Sequence, residues 1–224
     1  MTERGALEGL AAGIVALDDR EFQDDPWFWA CEVLQTIDEA TQQVLPWPRD
    51  NGYLKELFAA LETERLLAVP KSRRMMGSWA VSARATHRAR YHPNHAIFLQ
   101  SETEDKAAYL VDKRCAWIED HLEAPYRRVY QSLKTTKGAI GRMTYPDTGS
   151  YLWAIPQGDS VIRAYTFSVL ICDEMDFQPE GRQALVAALP IAEKGARLIL
   201  LSSSNGPGGV IAGLCREVGF VRFA

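Results

Sequence analysis

Leu66-Leu67-Ala68-Val69-Pro70-Lys71-Ser72-Arg73-Arg74-Met75-Met76-Gly77-Ser78-Trp79 joins a short apolar run to a basic turn and then to the start of a helix-forming segment. A buried strand, a turn whose backbone N–H groups can wrap an anion, and a helix whose positive end faces it together make a phosphate-binding loop. The standard loop reads G-x-x-x-x-G-K-[ST], with its lysine on the β- and γ-phosphates and its hydroxyl on magnesium. Placing Ser78 in the hydroxyl slot leaves Gly77 where that lysine belongs, Met76 at the second glycine and Lys71 at the first. The lysine therefore stands at the front of the loop, from where a four-carbon stem with a mobile point charge still reaches a phosphate. By itself, the stretch reads more simply as a basic turn between a core strand and a surface helix.

The rest of the chain decides between the two. Its 224 residues suit one large domain, or a domain with a small appendage, and can bury a real core. Apolar residues make up 47% and charged residues 24%, an ordinary balance for a globular chain and not that of a disordered one. The net charge of -4 supplies no overall positive field, so a nucleic-acid partner would have to be met by a local basic patch. Cys31, Cys115, Cys172 and Cys215 lie far apart among apolar neighbours, without metal-ligand spacing, and read as reduced thiols of a cytosolic protein. No apolar run is long enough to span a bilayer, and no export signal is evident at the N-terminus.

Residues 1 to about 20 suggest a helix or loose arm. From Asp25-Pro26, helical spacing over residues 27–37 predicts an aromatic helix whose rings serve packing, and Pro46-Trp47-Pro48 breaks the chain after it. This places a helical segment at 1–45 ahead of a main domain at 46–224. Residues 54–61 form a helix with Leu54, Leu57, Phe58 and Leu61 on one face, followed by the strand before the loop. Residues 80–90 continue as a helix, 96–99 as a buried strand and 102–122 as a long amphipathic helix. A β-rich passage at 141–145, 150–155 and 161–166 precedes the apolar strand 167–172, a helix at 183–189 and the strand 197–201, with one more short helix near the end. Strands alternating with helices predict an α/β fold, a mainly parallel sheet covered on both faces.

In such sheets ligands gather at the carboxyl ends of the strands. The candidate strands here end in Lys71 to Ser78, in Asp173-Glu174 and in Ser202-Ser203-Ser204-Asn205. A carboxylate after a buried strand holds magnesium, and the next can orient or deprotonate an attacking water, which assigns Asp173 and Glu174 respectively. Solvated strand caps are the plainer alternative, but adjacent carboxylates at a buried strand end call for a cation or other donors. Arg84 and Arg88, one helical turn apart, read as a solvated face, with backbone phosphates as a lesser alternative. His92 and His95 lack a third metal ligand.

With these motifs in place, the sequence resembles the ATPase domain of the large terminase subunit of tailed bacteriophages, the motor that packages DNA into proheads. The likeness runs from about Trp27 to Gly209 and includes the strand ending Ile171-Cys172-Asp173-Glu174-Met175-Asp176-Phe177 and the serine-rich stretch after it. Terminases often carry a Walker A loop of the form K-x-R-x-x-G-x-S, which Lys71, Arg73 and Ser78 match and from which Met76 departs. The resemblance implies a RecA-like (ASCE) P-loop ATPase fold that binds ATP and Mg2+. It places nucleotide contacts at Lys71, Ser72, Arg73, Arg74, Met75, Met76, Gly77, Ser78 and Trp79, the metal at Ser78 and Asp173, and the catalytic carboxylate at Glu174. Ser203 aligns with the coupling motif. Arg163 falls where family members place an arginine that reaches a neighbour's nucleotide, a structural surface arginine being the alternative. Tyr53 stands where an adenine-contacting glutamine is expected and could stack on the base or simply pack. The implied partners are double-stranded DNA, the portal and prohead and the small terminase subunit, with a homo-oligomeric ring during packaging or a monomer in isolation, in the host cytoplasm and without a membrane. The family's nuclease domain has no counterpart in these 224 residues, so no DNA cleavage is expected of them. The alternatives are a helicase-like nucleic-acid-stimulated ATPase, or a degenerate P-loop scaffold without catalysis.

Overall fold

The computed structural model describes residues 19–38, 40–72, 75–206, 208–216 and 219–223. Nearly all of the expected N-terminal arm, and Arg73 and Arg74 of the loop, lie outside them.

Helix α1 (Pro26–Val33) begins where the Asp25 carboxylate accepts the Phe28 N–H at 2.9 Å and Pro26 supplies a preset φ. It stops earlier than the spacing predicts. Residues 35–37 are instead β1 (Gln35–Ile37), paired antiparallel with β2 (Val44–Pro46), because the Asp38 carboxylate accepts the Ala40 and Thr41 N–H groups and closes a turn. Trp29 is nonetheless fully buried, and Trp27 sets its ring edge-on to Phe58, so these aromatics pack as expected. Helix α2 (Gly52–Thr63) buries Leu54, Leu57, Phe58 and Leu61, the face given by their spacing.

The main body alternates β3 (Leu66–Pro70), α3 (Gly77–Tyr91), β4 (Ala96–Gln100) and α4 (Glu104–Leu110), which runs through a π-helical turn at Val111–Ala116 into α5 (Trp117–His121). Then come β5 (Gln131–Lys134), β6 (Ile140–Thr144), β7 (Tyr151–Ile155), α6 (Ser160–Ala164), β8 (Val169–Cys172), α7 (Gly181–Glu193), β9 (Arg197–Ser202), α8 (Val210–Leu214) and β10 (Val221–Arg222). They build an eight-stranded sheet in the order β10-β3-β9-β8-β4-β7-β6-β5, parallel from β10 to β7 and antiparallel beyond.

Both faces are covered, which is why the central strands are apolar along most of their length, with Gln100, Arg197 and Ser202 only at strand ends. In β3, Leu67 and Val69 join the core beneath α2, α3 and α4, while Ala68 joins the opposite core with Ala184, Ala188 and Ala192 of α7. The RecA-like arrangement expected from the sequence is therefore the one observed: β9 separates the loop strand β3 from the carboxylate strand β8, and all three point the same way.

Two expectations need correction. Residues 161–166 are not a strand: Ser160–Ala164 is a helical turn, closed by the i,i+4 pair of Asp159 and Arg163, with Ile162 buried. The β-branched Val161 and Ile162 imitate a strand there, but they serve a helix packed on the second core. Nor do Arg84 and Arg88 form a solvated stripe. Helix α3 lies between the sheet and its neighbours, Arg84 is 4% exposed, and both guanidiniums pair with Glu62.

Candidate nucleotide site

Strands β3, β8 and β9 deliver their carboxyl ends to one place. Pro70 is in register with Ser202, so the Lys71 N–H continues the ladder onto the Ser202 carbonyl at 2.9 Å. Asp173 follows β8 directly and donates its N–H to the Gln100 carbonyl at 2.9 Å. The Lys71 ammonium then reaches across the end of β9. It donates to Ser78 Oγ at 3.0 Å and to Asp173 Oδ1 at 2.5 Å, and lies 3.2 Å from Glu174 Oε1. Ser78 Oγ donates to Asp173 Oδ2 at 2.7 Å, and the Glu174 N–H closes onto Asp173 Oδ1 at 3.0 Å. Ser203 completes the cluster, its N–H and Oγ both donating to Glu174 Oε2, at 3.4 and 3.2 Å.

The electrostatics follow from burial. The Lys71 and Asp173 side chains are each 8% exposed. Burial disfavours the Lys71 ammonium, but the charges and hydrogen bonds of Asp173 and Glu174 outweigh it and hold its pKa above the usual value of 10.5. A hydroxyl and a carboxylate sharing a cationic neighbour form the hard-oxygen set that suits Mg2+, which keeps waters and needs few protein ligands. Among the described residues there is no group of three or more His, Cys, Asp or Glu side chains able to hold a metal.

Met76, the departure from the terminase pattern, precedes the first turn of α3 with φ 55 and ψ 17, in the left-handed region that glycine enters most easily. The methionine thus takes up the glycine's backbone shape. The Met76 side chain makes no capping bond to this end of α3, whose first turn carries the positive end of the helix dipole. The Trp79 ring turns inward, with the Arg114 guanidinium 4.3 Å above it and Trp117 at its edge. Ser72 and Met75 are exposed.

Tyr53, at the start of α2, sets its ring edge-on to Phe223 at 5.2 Å. Burial holds its phenol pKa above the usual value of 10, against the opposing charge of the Lys71 ammonium. Arg163 is not gathered in: on α6 it is 63% exposed and bonded to Asp159. The His92 and His95 rings lie 5.9 Å apart, tilted at 56°, and among the described residues they belong to no group of three or more metal-holding side chains.

Several residues of the site carry no motif of their own. Gln100 Nε2 donates to the Pro156 and Gly158 carbonyls, and Gln178 Nε2 to the Asp173 carbonyl at 3.0 Å. Asp176 binds the serine-rich loop through several atoms. The one signal for it in the sequence is its position, a further acid one short turn beyond the adjacent carboxylates.

This strand order is that of a RecA-like α/β fold, with the three strand-end motifs side by side at the carboxyl ends of β3, β9 and β8. No protein-family model and no curated protein matches the sequence. Among solved structures, the fold is that of phage large terminases. The large terminase of a thermophilic bacteriophage matches at TM-score 0.59 and 12% identity over 76% of this chain and 44% of that one, and it has also been solved with ADP and with ATP-gamma-S. The HK97 bacteriophage large terminase matches at 0.57 and 11%, over 77% and 38%. An arginine-to-alanine mutant of the Thermus phage P74-26 large terminase ATPase domain matches at 0.50 and 13%, over 67% and 64%. The chain thus spans less than half the length of the first two of these structures. Among the described residues no helix is long and apolar enough to cross a membrane.

Proposed function

We propose that the chain is the ATP-hydrolysing motor domain of a phage large terminase subunit, coupling ATP turnover to translocation of double-stranded DNA into a prohead. The observation that carries this is the convergence of Lys71, Ser78, Asp173, Glu174 and Ser203 on one point at the strand ends. Lys71 and the N–H groups at the start of α3 bind the β- and γ-phosphates, joined by Arg73 of the loop. Ser78 Oγ and Asp173 hold Mg2+, which when bound neutralises charge developing on the transferring phosphoryl group. Glu174 orients a water and accepts its proton as the water oxygen bonds to the γ-phosphorus and the bond to the ADP oxygen breaks. Ser203, bonded to Glu174, registers whether that carboxylate is engaged.

Tyr53, within the field of Lys71, is the candidate for the base. Arg163, exposed on α6, is the candidate for reaching the nucleotide of a neighbouring copy in a ring. The portal and the small terminase subunit are the expected partners of such a ring, and the host cytoplasm its setting.

The test is Glu174→Gln, which keeps the shape of the side chain but accepts no proton. ATP hydrolysis should be abolished, while magnesium-dependent nucleotide affinity, measured by titration, stays near that of the wild type. Undiminished hydrolysis would remove Glu174 from the chemistry, and affinity indifferent to magnesium would favour a scaffold.

A further inference from the structure

We infer that Asp176 is the positioning residue that sets Ser203 against Glu174; the inference deepens the ATPase reading and rests on it. Glu174 adopts φ 53, and the short 3-10 turn Met175–Phe177 that follows brings Asp176 to the end of β9. There it grips the chain on both sides of Ser203. Its N–H donates to Ser202 Oγ at 3.1 Å, its carbonyl accepts Asn205 Nδ2 at 3.1 Å, and its Oδ2 accepts the Asn205 N–H at 3.4 Å. Its other carboxylate oxygen, Oδ1, accepts the Ile211 N–H at 2.8 Å, serving the first turn of α8, for which Gly209 at the N-cap supplies no side chain. Ser203 makes its own contacts with Glu174 from between these anchors. One residue thus joins the turn after the acidic pair, the serine loop and the helix beyond.

Gly209 gives independent support. Its φ of -61 is open to any residue, so its backbone does not call for glycine. A Cβ there, however, would lie 2.3 Å from Asp176 Oδ2. A methyl at this position must therefore displace the Asp176 carboxylate, whose atoms are the three nearest to it.

The experiment compares Asp176→Ala, Gly209→Ala and the double variant in the 224-residue chain, with Glu174→Gln as reference. It measures steady-state ATP hydrolysis, MgATP affinity and thermal unfolding. Each single change should lower kcat roughly 10- to 100-fold, the range for losing a group that orients a reacting residue. KM and nucleotide affinity should stay within about threefold of wild type, since ground-state binding is untouched. Gly209→Ala should add nothing to Asp176→Ala, because both act through one carboxylate. Asp176→Asn should recover part of the rate, keeping an acceptor for the Ile211 N–H. Unchanged kcat in both single variants, alongside an inactive Glu174→Gln, would overturn the role of Asp176 alone. Affinity and folding lost in step with kcat would make Asp176 merely structural and overturn it too. Hydrolysis surviving in Glu174→Gln would remove Glu174 from the chemistry and with it the roles of Ser203 and Asp176, and a wild-type chain that hydrolyses no ATP would overturn the ATPase reading itself.

Discussion

Replacing Lys71 with methionine keeps the stem that passes beside Gly77 and removes only the ammonium. That ammonium is the shared counter-ion of Asp173 and Glu174, at 2.5 and 3.2 Å. Removing one partner of a buried ion pair costs about 3–5 kcal/mol. Asp173 keeps the Ser78 hydroxyl and the Glu174 N–H as donors, which softens the loss. Glu174 is 31% exposed and adds less than about 1 kcal/mol. The lower end, about 3 kcal/mol, is therefore expected, or about 6–12 °C in Tm for a chain of this size. The sign follows from the raised pKa of Lys71. A group held above its ordinary 10.5 in the folded state contributes fully below that value and loses its contribution as pH rises through the folded one. The gap between wild type and variant, read by urea unfolding, should thus be equal at pH 7 and pH 9. Millimolar Mg2+ should stabilise the variant more than the wild type, since a cation then enters oxygens that Lys71 no longer neutralises. A gap under about 1 kcal/mol at pH 7 would refute the counter-ion argument, because that is the range of an exposed pair.

The backbone at Met76 supplies a second test. Met76→Gly should change stability by less than about 1 kcal/mol, relief at φ 55 offsetting the entropy of glycine, and leave nucleotide affinity intact. Met76→Val, β-branched in the left-handed region, should cost about 1–3 kcal/mol and weaken binding in the same titration. The third concerns acid. Burial, aided by Arg88, pushes the His95 pKa down to about 4, so between pH 6.5 and 4 the unfolded chain takes up a proton that the folded one refuses. That residue is neutral to stability above pH 6.5 and should cost about 1–2 kcal/mol by pH 4, after allowing for its partial exposure. His95→Gln should flatten this part of the stability profile, and an unchanged slope would assign it elsewhere.

The sequence made the strand ends legible because a parallel sheet covered on both faces leaves two plain marks, unbroken apolar runs and polar residues where they stop. Val169 to Cys172 running into Asp173-Glu174 is such a mark. The contacts between strand ends were less legible. Nothing local says that β9 lies between β3 and β8, so Ser202 and Asp176 showed no relation until the strands were ordered. Residues 161–166 misled because a helix of one turn offers too few positions for its period to appear, while β-branched residues are conspicuous. Arg84 misled because charge at helical spacing implies solvent unless the helix is central, and centrality belongs to the fold.

The displaced lysine finds its reason in the same geometry. Neighbouring strands lie about 4.8 Å apart, so the ends of β3 and β8, with β9 between them, are roughly 10 Å apart. Lys71, immediately after β3, spans much of that interval with its own stem and meets Asp173 coming from the other side. The stem must pass the start of α3 to do so: a Cβ at position 77 would lie 3.3 Å from Lys71 Cδ, a crowded approach for one carbon and worse for a longer chain. A side chain at 77 would push the Lys71 stem aside by a few tenths of an ångström. Glycine at 77 keeps that passage clear, so the loop that looks broken beside the standard pattern still carries its ammonium to the carboxylates that follow β8.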